Sequence, residues 1–203
     1  MENHRKVIKV GATTGSHIEM KLSTDNVWFT SDEHFWHSNI IKYCNRPFET
    51  AAEMNEVLIQ NWNSVVGPQD NIFLLGDLSF AKPEITEEIL RRLNGNIYLI
   101  RGNHDYHWNF KILDKYFVWT KDLAEILVPD TDVKGGYRSI TLCHYPLLSW
   151  NKISYSSWSL HGHTHGNIPY DPKFKRLDVG VDSHDFTPIS YLQIKAIFSN
   201  TDQ

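Results

Sequence analysis

Tyr98-Leu99-Ile100-Arg101-Gly102-Asn103-His104-Asp105 is an apolar, strand-forming run that breaks directly into an amide, an imidazole and a carboxylate behind a glycine. A buried strand ending this way fits an α/β sheet, where ligands bind just outside the carboxyl ends of the strands. Gly102 is expected to permit the turn. Alone, the tetrapeptide reads equally well as an Asx-type turn. Its meaning depends on what the rest of the chain sets beside it.

Toward the N-terminus the same construction recurs. Ile72-Phe73-Leu74-Leu75 is a buried-type strand ending in Gly76-Asp77, and Val27-Trp28-Phe29-Thr30 runs into Ser31-Asp32-Glu33-His34. Between them comes a short helix through Tyr43, then an amphipathic helix over Thr50–Val66 with Met54, Val57, Leu58 and Trp62 on its buried stripe. Thr50 is its N-cap, Glu53 completes a capping box, and Gly67-Pro68 stops it. Pro83 opens another helix over Glu84–Leu93, closed by Asn94-Gly95. Strand–helix–strand units in succession predict a parallel sheet.

Beyond the opening run the rhythm changes. Phe110–Tyr116 reads as helical, and Leu123–Val128 with Tyr137–Cys143 reads as a hairpin around Pro129 and Gly135-Gly136. The second of these strands ends in His144. Ser157–Leu160 leads into His161-Gly162-His163-Thr164-His165-Gly166, Arg176–Val181 alternates as a strand, and Pro188 begins a final helix through Phe198. Residues 1–26 form an N-terminal extension with a β-hairpin pattern, and residues 27–203 a single domain.

The bulk properties exclude several classes. In 203 residues, 41% hydrophobic and 22% charged is a globular balance with enough apolar content for a substantial core. A formal charge of −4 gives no support for a general polyanion-binding surface. No stretch approaches the ~20 apolar residues that span a bilayer. Two cysteines make no disulfide framework and fit reduced thiols in the cytoplasm.

Five strand ends thus carry residues of one chemistry: Asp32/His34, Asp77, Asn103/His104, His144 and His163/His165. On extended chain, Asp32 and His34 would face one way, as would His163 and His165. Carboxylates, imidazoles and one amide oxygen, with no thiolate, suit Mn²⁺, Fe or Zn²⁺ in a catalytic centre. The donors are too many for one ion and about right for two, with Asp77 the natural bridge. His37, Asn39 and Arg46, following the first motif, are candidates for substrate binding together with Asn103 and His104. Trp36, Trp108, Trp150 and Trp158 read as core or rim residues, with a stacking wall for a base as the alternative.

In order and spacing, Asp32-x-His34, Gly76-Asp77, Gly102-Asn103-His104-Asp105, His144 and Gly162-His163-x-His165 resemble the five motifs of the calcineurin-like metallophosphoesterases. The resemblance implies an α/β fold, a four-layer sandwich of two mixed β-sheets flanked by α-helices. It implies one metal held by Asp32, His34, Asp77 and His165, and a second by Asp77, Asn103, His144 and His163. His104 would be the catalytic histidine, acting with Asp77. The implied cofactors are two divalent ions, Mn²⁺ first, with Fe, Zn²⁺, Ni²⁺ or Co²⁺ as alternatives. The implied reaction is phosphoester hydrolysis by a metal-activated water.

For substrate, the chain lacks the Asp-Arg pair that follows Gly-Asp-x-x in the family's protein phosphatases, and the histidine its repair nucleases place after Gly-Asp-Leu. A phosphodiesterase of a small or nucleotide substrate is the expectation, with no membrane partner and nucleic acid not favoured. The other readings are a phosphomonoesterase, a DNA nuclease, or a silent protein-binding scaffold.

Overall fold

The computed structural model describes residues 8–9, 19–20, 22–106, 113–171 and 173–199. Two short strands, β1 (Ile8–Lys9) and β2 (Glu19–Met20), pair antiparallel. β3 (Val27–Thr30), β4 (Asn71–Leu74) and β5 (Asn96–Ile100) follow, separated by α1 (Ser38–Tyr43), α2 (Ala51–Val65) and α3 (Pro83–Leu90). Next come β6 (Phe117–Lys121), β7 (Leu123–Pro129), β8 (Tyr137–Cys143), β9 (Trp158–His161), β10 (Arg176–Asp178), β11 (Ile189–Ser190) and α4 (Tyr191–Ser199).

The strands form two larger sheets, and both are mixed. One has the order β11-β3-β4-β5-β6, parallel except for the antiparallel β11–β3 pair. The other has the order β10-β9-β8-β7, with β7–β8 antiparallel and the other pairs parallel. The expected parallel half and hairpin half are therefore separate sheets within one α/β fold flanked by helices.

Side-chain alternation explains how they pack. Along β4 and its end, Phe73 and Leu75 join one core cluster while Ile72 and Leu74 join another; along β5, Tyr98 and Ile100 separate in the same way from Ile97 and Leu99. The first cluster contains Ile126, Ile140, Leu142 and Leu160 from the second sheet, so it is the core between the sheets. The second contains Met54, Leu58 and Trp62 of α2 and Ile89 of α3, so these helices cover the outer face of the five-stranded sheet.

Local chemistry matches the sequence in most places. Thr50 caps α2 by accepting from the Glu53 N–H at 3.1 Å, although the Glu53 carboxylate turns back to the Glu49 N–H instead of closing a reciprocal box. Pro83 sits in the first turn of α3. β6 adds to the expected elements, extending the parallel sheet beside β5. Two expectations need correction. The final helix starts at Tyr191 because Ile189 and Ser190 pair with Phe29 and Trp28 of β3. Of the helix expected over 110–116, residues 110–112 lie outside the described residues and Asp114–Tyr116 forms a 3-10 turn.

Candidate functional site

Every motif lies at the carboxyl end of a strand, and the parallel pairing of β3, β4 and β5 puts three of those ends side by side. Asp77 is the centre. Its Oδ2 lies 3.6 Å from His34 Nε2, 3.6 Å from His144 Nε2 and 3.9 Å from His104 Nε2. Asp32 Oδ1 lies 3.8 Å from His34 Nε2 and 4.0 Å from His165 Nε2. Asn103 Oδ1 is 3.0 Å from His144 Nε2, and the His144 and His163 rings meet edge-on at 5.1 Å. The structure thus brings all eight motif residues together.

How they converge differs from the expectation. Neither Asp32-x-His34 nor His163-x-His165 is extended. Asp32, His34, Asp77, His163 and His165 all adopt left-handed backbone, with φ of 60°, 53°, 56°, 69° and 47°. Non-glycine residues held there cost about 1–3 kcal/mol each and cluster at functional sites. Surrounding hydrogen bonds hold the turns: Asp77 Oδ1 accepts from the His104 N–H at 2.9 Å, and Asp32 Oδ2 from the His163 N–H at 2.8 Å.

Asp105 supplies the deepest brace. It is fully buried; Oδ2 accepts from the Asp77 and Gly102 N–H groups at 2.9 and 2.7 Å, and Oδ1 from the Leu78 N–H at 3.2 Å. It therefore locks the second motif to the third. Burial pushes its carboxyl up to about 6 against these donors. Gly102 is not a positive-φ residue; it is needed for close approach, because a Cβ there would overlap Asp77 Oδ1. A Cβ on Gly162 would likewise strike Ser31 and the Asp32 carboxylate.

The donor atoms are prepared for cations. Asp32 Oδ1 and His34 Nε2 are buried without a hydrogen-bond partner, which a cation between them would remedy. His144 Nδ1 donates to the Leu75 carbonyl at 2.7 Å, so its Nε2 lone pair faces Asn103 Oδ1, acceptor against acceptor. Burial, reinforced by the Asp77 charge, pushes the Asp32 carboxyl up against the pull of His165. Burial and neighbouring cationic groups keep His34 neutral, as a ligating imidazole must be. Asp32 with His34 and His165, and Asp32 with Asp77 and His144, each bring ligand atoms within 4.8 Å of one another.

The substrate candidates fare differently. Asn103 and His104 lie in the cluster, and the His104 side chain is 41% exposed at its mouth. His37 Nδ1 is 3.2 Å from His34 Nδ1, a contact that leaves His34 Nε2 free for the centre when His34 is the donor. Asn39 is exposed on α1. Arg46 is placed contrary to expectation. Its side chain is wholly buried, donating to Asp182 and to the carbonyls of Asp32 and Glu33.

Sequence reasoning missed Asp182, whose carboxylate links Arg46 to His165 Nδ1 at 2.7 Å. A carboxylate just past Gly180, at the end of β10, was its available signal. It also missed Phe80, which stacks on His37 at 3.7 Å, and Asp178, which accepts from Thr164 and the Gly166 N–H to shape the fifth motif's loop. Trp150 and Trp158 are core residues, Trp36 is exposed, and Trp108 lies outside the described residues.

Comparison with known proteins agrees with this geometry. An uncharacterized protein of Methanocaldococcus jannaschii is 37% identical over 177 residues, covering 83% of this chain and 89% of its own. A gene 66 protein of a Mycobacterium phage is 29% identical over 181 residues, covering 78% of this chain and 87% of its own. A crystal structure of an Aquifex aeolicus protein of unknown function superposes with a TM-score of 0.65 at 25% identity, covering 84% of this chain and 98% of that one. The calcineurin-like phosphoesterase family model matches residues 26–185, the span containing all five motifs, and the chain belongs to that family of metal-dependent phosphoesterases.

Proposed function

We propose that this protein is a dinuclear-metal phosphodiesterase acting on a small or nucleotide diester. The observation that carries this reading is the position of Asp77 Oδ2, between His34 and His144 at 3.6 Å each, beside the unpartnered Asp32 Oδ1 and His34 Nε2. Asp32, His34, Asp77 and His165 would hold one divalent cation, and Asp77, Asn103, His144 and His163 the other. Mn²⁺ is the favoured ion for this carboxylate, imidazole and amide set. Bound there, the pair supplies Lewis-acid charge to the phosphoryl oxygens and lowers the pKa of a bound water.

The chain's own residues orient and protonate. His104, held through its N–H by Asp77 Oδ1, has a 41% exposed side chain with Nε2 3.9 Å from Asp77 Oδ2, and donates a proton to the leaving oxygen. The charge around the motifs favours a diester. Arg46 is buried against Asp182, and Arg101 forms a two-point pair with Asp122 at 2.8 Å. A monoester dianion needs more positive charge than a diester monoanion, and both flanking guanidiniums are committed to carboxylates. Two free cysteines, Cys44 and Cys143, support a reducing, cytoplasmic setting. No helix among the described residues is long and apolar enough to cross a membrane.

The test is turnover of bis-p-nitrophenyl phosphate against p-nitrophenyl phosphate after loading with Mn²⁺, Fe²⁺, Co²⁺, Ni²⁺ or Zn²⁺. Higher kcat/KM on the diester is expected. Preference for the monoester would replace this reading with a phosphatase, and no metal-dependent turnover of either would favour the scaffold.

A further inference from the structure

Two exposed aromatic rings flank the centre from different motifs. Phe80, in the loop after β4, is 41% exposed; its ring lies 3.7 Å from His37, 4.6 Å from His104 and 5.3 Å from His34. Tyr145, directly after β8, is 45% exposed and meets His144 and His163 edge-on at 5.1 and 4.8 Å. Phe80 therefore belongs to the half of the site with His34 and His104, and Tyr145 to the half with His144 and His163. Large apolar rings left this open beside a polar centre offer surface that a flat substrate group would cover.

A phosphodiester has two ester arms, and the site has an aromatic wall on each side. We infer that the substrate carries two flat aromatic arms, as a dinucleotide-type phosphodiester does, with one base against Phe80 and the other against Tyr145. This inference rests on the phosphodiesterase reading above and names its substrate class. It also assigns direction. His104 protonates the leaving oxygen and its ring touches Phe80, so the leaving arm lies on Phe80 and the retained arm on Tyr145. Water oxygen bonds to phosphorus as the bond from phosphorus to the Phe80-side oxygen breaks. That oxygen takes the His104 proton, and the proton lost by water passes to solvent. The products are an alcohol on the Phe80 side and a phosphomonoester on the Tyr145 side.

Charge limits the length. A long single strand is tracked by a basic groove. This chain carries a formal charge of −4, and its site-flanking arginines are paired with carboxylates. A substrate with one bridging phosphate fits that field.

The experiment compares kcat/KM for bis-p-nitrophenyl phosphate, methyl p-nitrophenyl phosphate and a dinucleoside monophosphate on Mn²⁺-loaded protein. The first two share a leaving group and differ in the retained arm. In Tyr145→Leu the bis-to-methyl ratio is expected to fall about tenfold, the size of one lost base–aromatic stack, with the dinucleotide falling alongside the bis ester. Tyr145→Phe should restore the ratio. Phe80→Leu should raise KM for both p-nitrophenyl esters and move their ratio by less than about twofold. Equal losses on both esters in Tyr145→Leu would overturn the two-arm inference while leaving the diesterase reading intact. Failure of the wild type to turn over either ester would overturn both. Because both side chains are exposed, thermal melts of the variants should match the wild type.

Discussion

Asp182 Oδ2 accepts a hydrogen bond from His165 Nδ1 at 2.7 Å, and the same carboxylate is gripped by Arg46 through Nε and Nη2 at 2.8 Å each. The bond fixes the proton on Nδ1 and aims the Nε2 lone pair at Asp32. Arg46 also ties Asp182 to the Asp32 carbonyl, so a single bracket orients residues from the first and fifth motifs. Burial opposes charge on both partners, yet their hydrogen bond prevails, holding Asp182 low and His165 high. Asp182→Asn should therefore weaken Mn²⁺ binding about 10–100-fold, measured by calorimetric titration of the metal-free protein. It should also lower Tm by leaving Arg46 buried beside a neutral partner. A smaller Mn²⁺-induced rise in Tm than in the wild type separates the two effects; unchanged Mn²⁺ affinity would show that other contacts orient His165.

That bracket also marks where the sequence was legible and where it was not. Asp32, His34, Asp77, Asn103, His104, His144, His163 and His165 were readable because each closes an apolar strand, and strand periodicity is local. Asp182 opens an Asp-x-His of its own with His184, but in a 3-10 turn that closes no apolar strand, and its role comes from Arg46, 136 residues away. Phe80 read as one more apolar residue, because exposure is a property of the assembled loops. β6 was missed since only Asp122 separates it from β7, yet the two strands belong to different sheets. The αL turns at Asp32 and His163 were hidden because they are imposed by hydrogen bonds from other motifs.

Asp77 and His104 should fail in different ways. Asp77 touches both halves of the cluster, so Asp77→Ala is expected to abolish metal uptake and turnover together. His104→Ala should retain both metals by elemental analysis and lose about 10²–10⁴-fold in kcat on a diester with a poor leaving group. With p-nitrophenolate as leaving group the loss should shrink, because that oxygen departs without a proton. Equal losses on both leaving groups would remove His104 from the acid role.

Away from the site, Asp130 is a stability test with a defined pH signature. Its buried carboxylate accepts from Lys195 Nζ at 2.7 Å, Tyr191 Oη at 2.5 Å and the Asp132 N–H at 3.1 Å. Burial would raise its pKa, and these donors together hold it below the ordinary value of 3.8. The unfolded chain then binds more protons than the folded one through that range, so the contribution is complete above about pH 4 and is lost as pH falls further. Asp130→Asn is expected to cost about 2–4 kcal/mol at pH 7 in urea melts, since it takes the buried anion from Tyr191 and leaves Lys195 only the exposed Asp132 carboxylate at 2.6 Å. The gap between wild type and variant should narrow toward pH 3. A gap independent of pH would mean that packing, not charge, is what the residue provides.

The last prediction concerns a glycine inside the opening run of the third motif. Gly102 carries no left-handed φ, and its amide already donates to Asp105 at 2.7 Å. A methyl there would overlap Asp77 Oδ1 and approach the Asp77 amide at 2.7 Å. Backbone cannot yield, because Asp105 clamps both Gly102 and Asp77, so the strain must displace the carboxylate. Gly102→Ala is therefore expected to lose about 10²-fold in turnover, the effect of an ångström-scale misplacement of a reacting group. Gly135 gives the contrast. Its φ of +95° makes alanine strained, but nothing lies within 4 Å of the added carbon. Gly135→Ala should cost about 1 kcal/mol of stability and leave metal binding and turnover as they are. If Gly102→Ala matched Gly135→Ala in turnover and Mn²⁺ affinity, the close approach of Gly102 to Asp77 would not be what positions the centre.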